Sequence, residues 1–548
     1  MNALAFSPSG RLLVPQELRS LPALLARQSC LRPDQPYFTI EGSTYTYRQT
    51  HERMRVIAGA LARLGVGMDT RVGILLPNRA AFVFTMFAAA YLGATIVAIN
   101  PEFRGKLLEG ALETGQCKVL VADDSSVPGL RDLSQEALSG IEAVVHVDGV
   151  LGRISGAIEQ VAWSDLEKSV SQPPAAAPAQ PGSIQAVSFT SGSTGPAKGV
   201  QITMTQAVDV ACTYIHATNL AQEDVLYTPF AFFHGMSTRL GLLPALIVGA
   251  HVVIGRRFSA SRYWQEAAEC GATVGQTLPT MTALLKARPA TEHDRKHKIT
   301  RMYNSRADEE FEKRFGVRLI EAYGMTEIGL VIYSGYPDRR AGAAGKVHAD
   351  WEMQIVDEED NPVPMGSSGE LVFRPRVPWL VSPGYIGKPQ ATVESWRNLW
   401  FHSGDIGRQD QDGYVYFIDR RKERIRRLGE NISSFDVESI VCGHPAVREC
   451  AALAYPASIG EDDVRIVVVK AENAELTAGD LYDWLVTAMP KYMLPRYIEF
   501  AESLPRTPTN KIEKYQLKQR GLLGGAWDRD VHRPSRHQVV TERAEVNT

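Results

Sequence analysis

The segment Ser188–Val200, SFTSGSTGPAKGV, gathers the groups that hold an anion. A strand-like run leads into Thr190, Ser191, Gly192, Ser193, Thr194 and Gly195, with Lys198 and Gly199 close behind. Glycines let successive backbone N–H groups converge on one cluster of oxygens, hydroxyls add donors, and a lysine adds full charge. Such a loop holds phosphates. It is not the Walker loop, GxxxxGK(S/T), because Ala197 precedes Lys198 and Gly199 follows it. A flexible Ser/Gly linker has a similar composition, but a linker does not sit between a β-branched strand and KGV.

Four more segments mix a carboxylate or a lysine with turn-forming residues: EAYGMTE (Glu321–Glu327), WFHSGDIG (Trp400–Gly407), the stretch Tyr416–Ser439, and LPRTPTNKIEKYQL (Leu504–Leu517). Carboxylate oxygen suits a hard cation that bridges phosphates. An ionised aspartate accepts from two hydroxyls at once. Taken singly, each segment reads equally well as a polar turn, a cap or a solvated charge.

The elements around them alternate. Arg71–Leu76, Ala94–Ile99 and Lys118–Ala122 are short apolar runs, separated by helical stretches at Asn78–Tyr91 and Arg104–Thr114. Buried strands joined by helices predict a parallel sheet with right-handed crossovers. Residues 171–182, SQPPAAAPAQPG, have linker composition. From Ala341 to Phe417 the texture changes to short strands and Gly/Pro turns, as in antiparallel structure. The expected fold class is α/β: a large N-terminal domain (1–419) of parallel-rich sheets with a small β-barrel-like subdomain, then a small α+β domain (420–523). In the latter, Asp436–Cys442 and Leu481–Met489 read as helices and Arg465–Lys470 as a strand. Residues 524–548 are polar and charged and read as a disordered tail.

Composition sets outer bounds. A chain of 548 residues exceeds what one core usually serves. A net charge of −3 gives no general reason to expect nucleic acid or an anionic membrane as partner. The six cysteines are scattered without metal-ligand spacing and read as reduced, mostly buried thiols of a cytoplasmic protein. MNALAFSPSGRLL lacks the pattern of a signal peptide. Ala80–Ile99 is the most membrane-like stretch, but Gly93 interrupts it, and a core helix followed by a buried strand explains it.

The loop at 188–200 resembles the signature loop of the adenylate-forming superfamily, which includes acyl-CoA synthetases, luciferases and peptide-synthetase adenylation domains. The resemblance runs in order through EAYGMTE, GELV (Gly369–Val372), GYIGKPQAT (Gly384–Thr392), WFHSGDIG, YFIDRRKERIRRLGENISSFDVES and LPRTPTNK. It implies ATP, Mg2+ and coenzyme A as cofactors and a small-molecule carboxylic acid as substrate. On this resemblance Tyr323 stacks near adenine, Thr326 bonds a phosphate oxygen and Glu327 holds Mg2+. Asp405 takes the ribose hydroxyls, Arg420 contacts ribose, Lys422 is the hinge of a mobile C-terminal domain and Gly429 lies where the pantetheine arm passes. Lys511 docks over the reacting carboxylate and α-phosphate, while Lys514 reads as surface and Arg424, Arg426 and Arg427 as solvated. His234, in PFAFFHGMS, belongs to the aromatic segment that walls the acyl pocket, with a core histidine as the alternative. No aspartate lies between Thr228 and His251, which disfavours an α-amino acid substrate.

The implied reaction replaces the oxide of a carboxylate with AMP, a far better leaving group, and a thiolate then displaces AMP. Lys511 and the thiol need the same approach, so one domain must turn. Two places depart from the family pattern. Asn510 stands where relatives have Gly, and MYNSRAD (Met302–Asp308) replaces a Gly-Gly-Ala-Pro-like stretch beside adenine and acyl group. LGENISSFDVES is most reminiscent of crotonobetaine/carnitine-CoA ligases. Loading of a separate carrier protein, or an adenylate-binding protein with impaired catalysis, are the competing readings. A homodimer is left open.

Overall fold

Val119–Ala122 and Ala143–His146 are buried at every position, as parallel strands covered on both faces must be. They belong to a seven-stranded sheet in a computed structural model that describes residues 5–6, 12–148, 154, 158–170, 172–190, 198–286, 288–305, 307–337, 339–420, 425–427, 430–432, 434–457, 461–505, 512 and 514–533. The sheet runs in the order 198–203, 184–190, 95–98, 71–75, 119–122, 143–146, 159–162, and only the pair 184–190/198–203 is antiparallel. The helix Ala80–Tyr91 feeds it and is buried along almost its whole length. Gly93, at φ +75°, ends that helix and turns the chain into the strand Thr95–Ala98. Among the described residues no helix is long and apolar enough to cross a membrane.

The second sheet has thirteen strands. One arm is parallel, with 318–325, 301–304, 274–276, 225–228, 251–254 and 36–40 as successive neighbours. The other arm is antiparallel, and its strands 329–333, 345–347, 414–420, 401–409, 369–375 and 351–356 continue the same sheet. The join is the reversal between Arg318–Met325 and Gly329–Tyr333. Gly329 takes φ +72°, and at Gly324 a side chain would strike the carbonyl of Gly329. Only glycine permits so tight a return.

The described residues form two compact units, one holding 12–101, 108–190 and 198–420, the other built around 425–533. In the second unit the sheet runs 447–456, 462–470, 497–500, 527–528, with helices Ser434–Val441 and Ala478–Ala488. Its core contains Arg465 and Glu499, each 1% exposed and bonded to one another, with Arg465 also donating to the carbonyls of Leu517 and Gly521.

Several expectations need correction here. Residues 524–533 are not a disordered tail: Trp527–Asp528 pairs with Tyr497–Ile498, and the Arg529 N–H donates to the Arg496 carbonyl. Arg427 is not solvated; it is buried, donates to the Tyr492 and Leu494 carbonyls, and pairs with Asp463. Arg426 pairs with Glu461, and Lys514 with Glu438 and Ser434. Arg424 lies outside the described residues. Of the six cysteines, three are buried, Cys270 is half-buried and Cys30 and Cys442 are exposed.

Candidate functional site

The reversal at 325–329 carries Thr326 and Glu327, and three hydrogen bonds hold it. Gln206, in the helix Met204–Thr218, donates through Nε2 to the carbonyls of Thr326 (3.1 Å) and Glu327 (2.9 Å), and the Ser382 N–H donates to the Glu327 carbonyl at 2.7 Å. Gln206 is itself placed by the helix start, where Thr203 caps its N–H. The Glu327 side chain is thereby fixed in a position only 6% exposed. Tyr385 donates its hydroxyl to Glu327 Oε1 at 3.0 Å, and Lys198 Nζ lies 4.5 Å from the centre of the Tyr385 ring. Backbone bonds from Ile386 to Gly199 and from Gln201 to Gly384 tie that tyrosine's segment to the strand Lys198–Thr203.

Thr190 and Lys198 face one another across the antiparallel pair, so the two strands present both ends of the hydroxyl-rich loop at one place. Ser191, Gly192, Ser193, Thr194 and Gly195 lie outside the described residues, as do Lys422, Gly429, Asn510 and Lys511.

A second cluster sits on the antiparallel arm. Asp405 is 3% exposed and receives the Tyr323 hydroxyl on Oδ2 at 2.8 Å. Its own N–H donates to Ser403 Oγ, and the preceding Gly404 N–H donates to Glu370. Across the ladder its register partner is Arg420. The Tyr323 ring stacks on Phe373 and Phe417, with centroids 6.0 and 6.2 Å away. Because Tyr323 and Glu327 share one reversal, a single short segment serves both clusters.

His234 directly precedes the short helix Gly235–Ser237, with its ring 4.5 Å from that of Phe233. Asn78 fastens the aromatic run before it, donating to the Phe230 and Gly255 carbonyls and accepting from the Phe232 N–H. A five-residue π-helix, Thr238–Leu242, follows, with Gln276 donating to the Leu240 carbonyl. In the altered stretch after Met302, the Ala307 N–H donates to Glu321 at 2.9 Å and Asp308 caps the helix Glu309–Phe315. Burial pushes the Glu321 carboxyl up, with the Ala307 N–H pulling the other way.

Two buried carboxylates, a lysine and an aromatic run thus belong to one unit. Residues 25–386 match the family model of the AMP-binding enzyme, and residues 436–511 match the C-terminal domain of AMP-binding enzymes. The chain belongs to the AMP-binding enzyme family. It is an AMP-forming acid–thiol ligase. Crotonobetaine/carnitine–CoA ligase of Salmonella typhi is 30% identical over 483 residues, covering 86% of this chain and 93% of that protein. The o-succinylbenzoate CoA synthetase of Bacillus subtilis is similar in structure, with a TM-score of 0.76, 25% identity, and 91% of this chain and 98% of that one covered. The amide bond synthetase of Marinactinospora thermotolerans shares the fold, at a TM-score of 0.77 and 22% identity over 91% and 99% of the two chains.

Tyr385, Gln206 and Asn78 brace these clusters, and motif reading missed all three. Tyr385 stands inside GYIGKPQAT, so its segment was visible but its hydroxyl's task was not.

Proposed function

We propose that this enzyme activates a carboxylic acid with ATP to an acyl-adenylate, releases pyrophosphate, and passes the acyl group to coenzyme A. The observation that carries this reading is the pair of buried carboxylates, Asp405 and Glu327, on strands and turns that also present Tyr323, Thr326 and Lys198. Asp405 accepts the ribose hydroxyls beside Tyr323, whose ring lies near adenine, and Arg420 meets the ribose from the neighbouring strand. Thr326, Lys198 and the loop 190–195 hold phosphate oxygens. His234 walls the acyl side.

The donor set at Glu327 fits Mg2+. Its Oε1 is occupied by a phenol, while Oε2 takes no hydrogen bond from a described residue, leaving a hard oxygen for a hard cation. When bound, Mg2+ supplies charge neutralisation to the phosphates. Tyr385 keeps the carboxylate turned toward that position, and the lysine above its ring adds positive charge on the same side.

Lys511, on the C-terminal domain, offsets the charge gathering at the α-phosphate, and that domain turns about Lys422 to let the thiol approach past Gly429. The reading takes 1–419 as the adenylating domain and 420–523 as the turning one. A cytoplasmic location and a homodimer go with it, the latter checked by light scattering.

The test is product analysis over a panel of short, long-chain, aromatic, alicyclic and betaine-like acids, with free coenzyme A or an added carrier protein. AMP, pyrophosphate and a coenzyme A thioester are expected; acylated carrier with no free thioester would reassign the acceptor. Lys511→Ala is expected to abolish adenylate formation and largely spare thioester formation from supplied acyl-adenylate. Equal loss of both half-reactions would overturn its role.

A further inference from the structure

Between Thr228 and His251 the chain is apolar or neutral except for His234 and Arg239. Arg239 lies in the π-helical turn Thr238–Leu242, between the buried Ser237 and Leu240. A π-turn adds a residue to the regular spacing and re-aims the side chain it carries, and such turns concentrate at functional sites. The guanidinium is folded back over Gly235, directly after His234: a β-carbon at 235 would stand 2.6 Å from Arg239 Nε and 2.8 Å from Cζ. Glycine at 235 is what gives the guanidinium its room.

Among the described residues none accepts a hydrogen bond from Arg239 and none forms an ion pair with it. Burial lowers its basicity to about 10, the Glu327 carboxylate acting weakly in the opposite sense. A guanidinium carries five N–H donors in a planar fork and cannot shed its charge, so half-burying one with no hydrogen-bond acceptor among the described residues is costly. Leucine or methionine would fill the same space without that cost. The arginine therefore makes sense as a group whose partner arrives with the substrate.

We propose that Arg239 receives a second carboxylate carried by the acid substrate, so that this enzyme acts on dicarboxylic acids, activating one end and reading the other. The inference rests on the acid-activating reading above and adds the substrate class to it. A planar carboxylate matches the fork with two parallel N–H···O bonds. The neighbours of Arg239 in the chain, Phe232, Phe233 and Leu240, belong to or pack against the apolar core, a setting that suits the hydrocarbon between two carboxylates. Thr190 and Lys198 stand on the strands 184–190 and 198–203, and Thr326 directly follows the strand 318–325.

The test uses the full-length enzyme and a length series of dicarboxylic acids, each paired with its half-methyl ester, plus a betaine. Acid-dependent pyrophosphate release is measured for the natural chain, Arg239→Met and Arg239→Lys. The natural chain is expected to prefer the dicarboxylate of the best length over its half-ester by about 10–100-fold in kcat/KM, the worth of a charge-assisted pair. It should turn over the betaine more slowly than either. Arg239→Met should lose that preference yet keep turnover of the half-ester and an unchanged KM for ATP, while Arg239→Lys keeps part of the preference. Thermal melting confirms that each variant is folded. A half-ester or simple monocarboxylate preferred by the natural chain overturns the inference and leaves adenylation standing. So does an Arg239→Met that loses all acids equally with a raised KM for ATP, which would assign the arginine to the nucleotide. Absence of pyrophosphate release with every acid would remove the adenylation reading, and this one with it.

Discussion

Asp405 and Glu327 are both buried carboxylates that take one hydrogen bond from a tyrosine, yet the fold holds them in different ways. Asp405 sits in a regular antiparallel ladder, and its place follows from register: strand 401–409 on one side of strand 414–420, and Ser403 and Glu370 fixing the backbone before it. Glu327 sits in a glycine-bounded reversal with no ladder of its own, and distant side-chain and backbone donors, Gln206 and Ser382, hold its carbonyl. A carboxylate built on a sheet is rigid by construction. A carboxylate built on a turn is rigid only while its props remain.

Substitutions that separate the two clusters sharpen this contrast. The largest loss is expected from Glu327→Gln, which keeps the shape and removes the charge: pyrophosphate release should fall on the order of 100–1,000-fold. The residual activity should need more Mg2+, and an unchanged magnesium titration would break the assignment. Asp405→Ala should cost about 10–100-fold in kcat/KM for ATP and leave the magnesium dependence alone; a shifted metal requirement would mean the clusters are not separable. Next come the two phenols. Tyr385→Phe should act through the metal and Tyr323→Phe through the KM for ATP, each by about 1–2 kcal/mol. Should both variants move the same parameter, the division into a sheet-held and a turn-held carboxylate fails.

The smallest effect lies away from both clusters and concerns stability. His146 ends a fully buried strand with neither ring nitrogen bonded among the described residues, and burial lowers its pKa from 6.5 to about 4, Asp124 opposing weakly. The unfolded chain therefore binds this proton first. The contribution of neutral His146 is whole above about pH 6.5 and is lost as pH falls toward 4. His146→Leu should flatten that part of a denaturation–pH curve; an unchanged slope would mean the histidine is solvated.

What could be read before the structure was known follows the same line. Alternating buried runs and helices announced the parallel sheet; the composition of one loop singled out Lys198, while Tyr323, Glu327 and Asp405 were singled out only by resemblance, since type and local spacing alone read them as turn or cap residues. The Tyr323–Asp405 bond was not legible, since the partners are 82 positions apart and meet only through strand register. Gln206 looks like any polar residue of a helix, and its task appears only when a turn 121 positions away comes to rest on it. Arg427 belongs to a charged run that local pattern reads as solvated, and Asp463 with the carbonyls of Tyr492 and Leu494 overrides that reading. Trp527 does the same for a polar terminus by completing a sheet. Local composition loses wherever a distant partner supplies burial or a hydrogen bond.

The central claim is that an acyl-adenylate forms on this chain before any thiol takes part. Exchange of labelled pyrophosphate into ATP, followed without coenzyme A, tests it most directly. Exchange that depends on a carboxylic acid, with AMP as the nucleotide released once coenzyme A is added, is the predicted result; ADP with inorganic phosphate, or exchange indifferent to the acid, would contradict it.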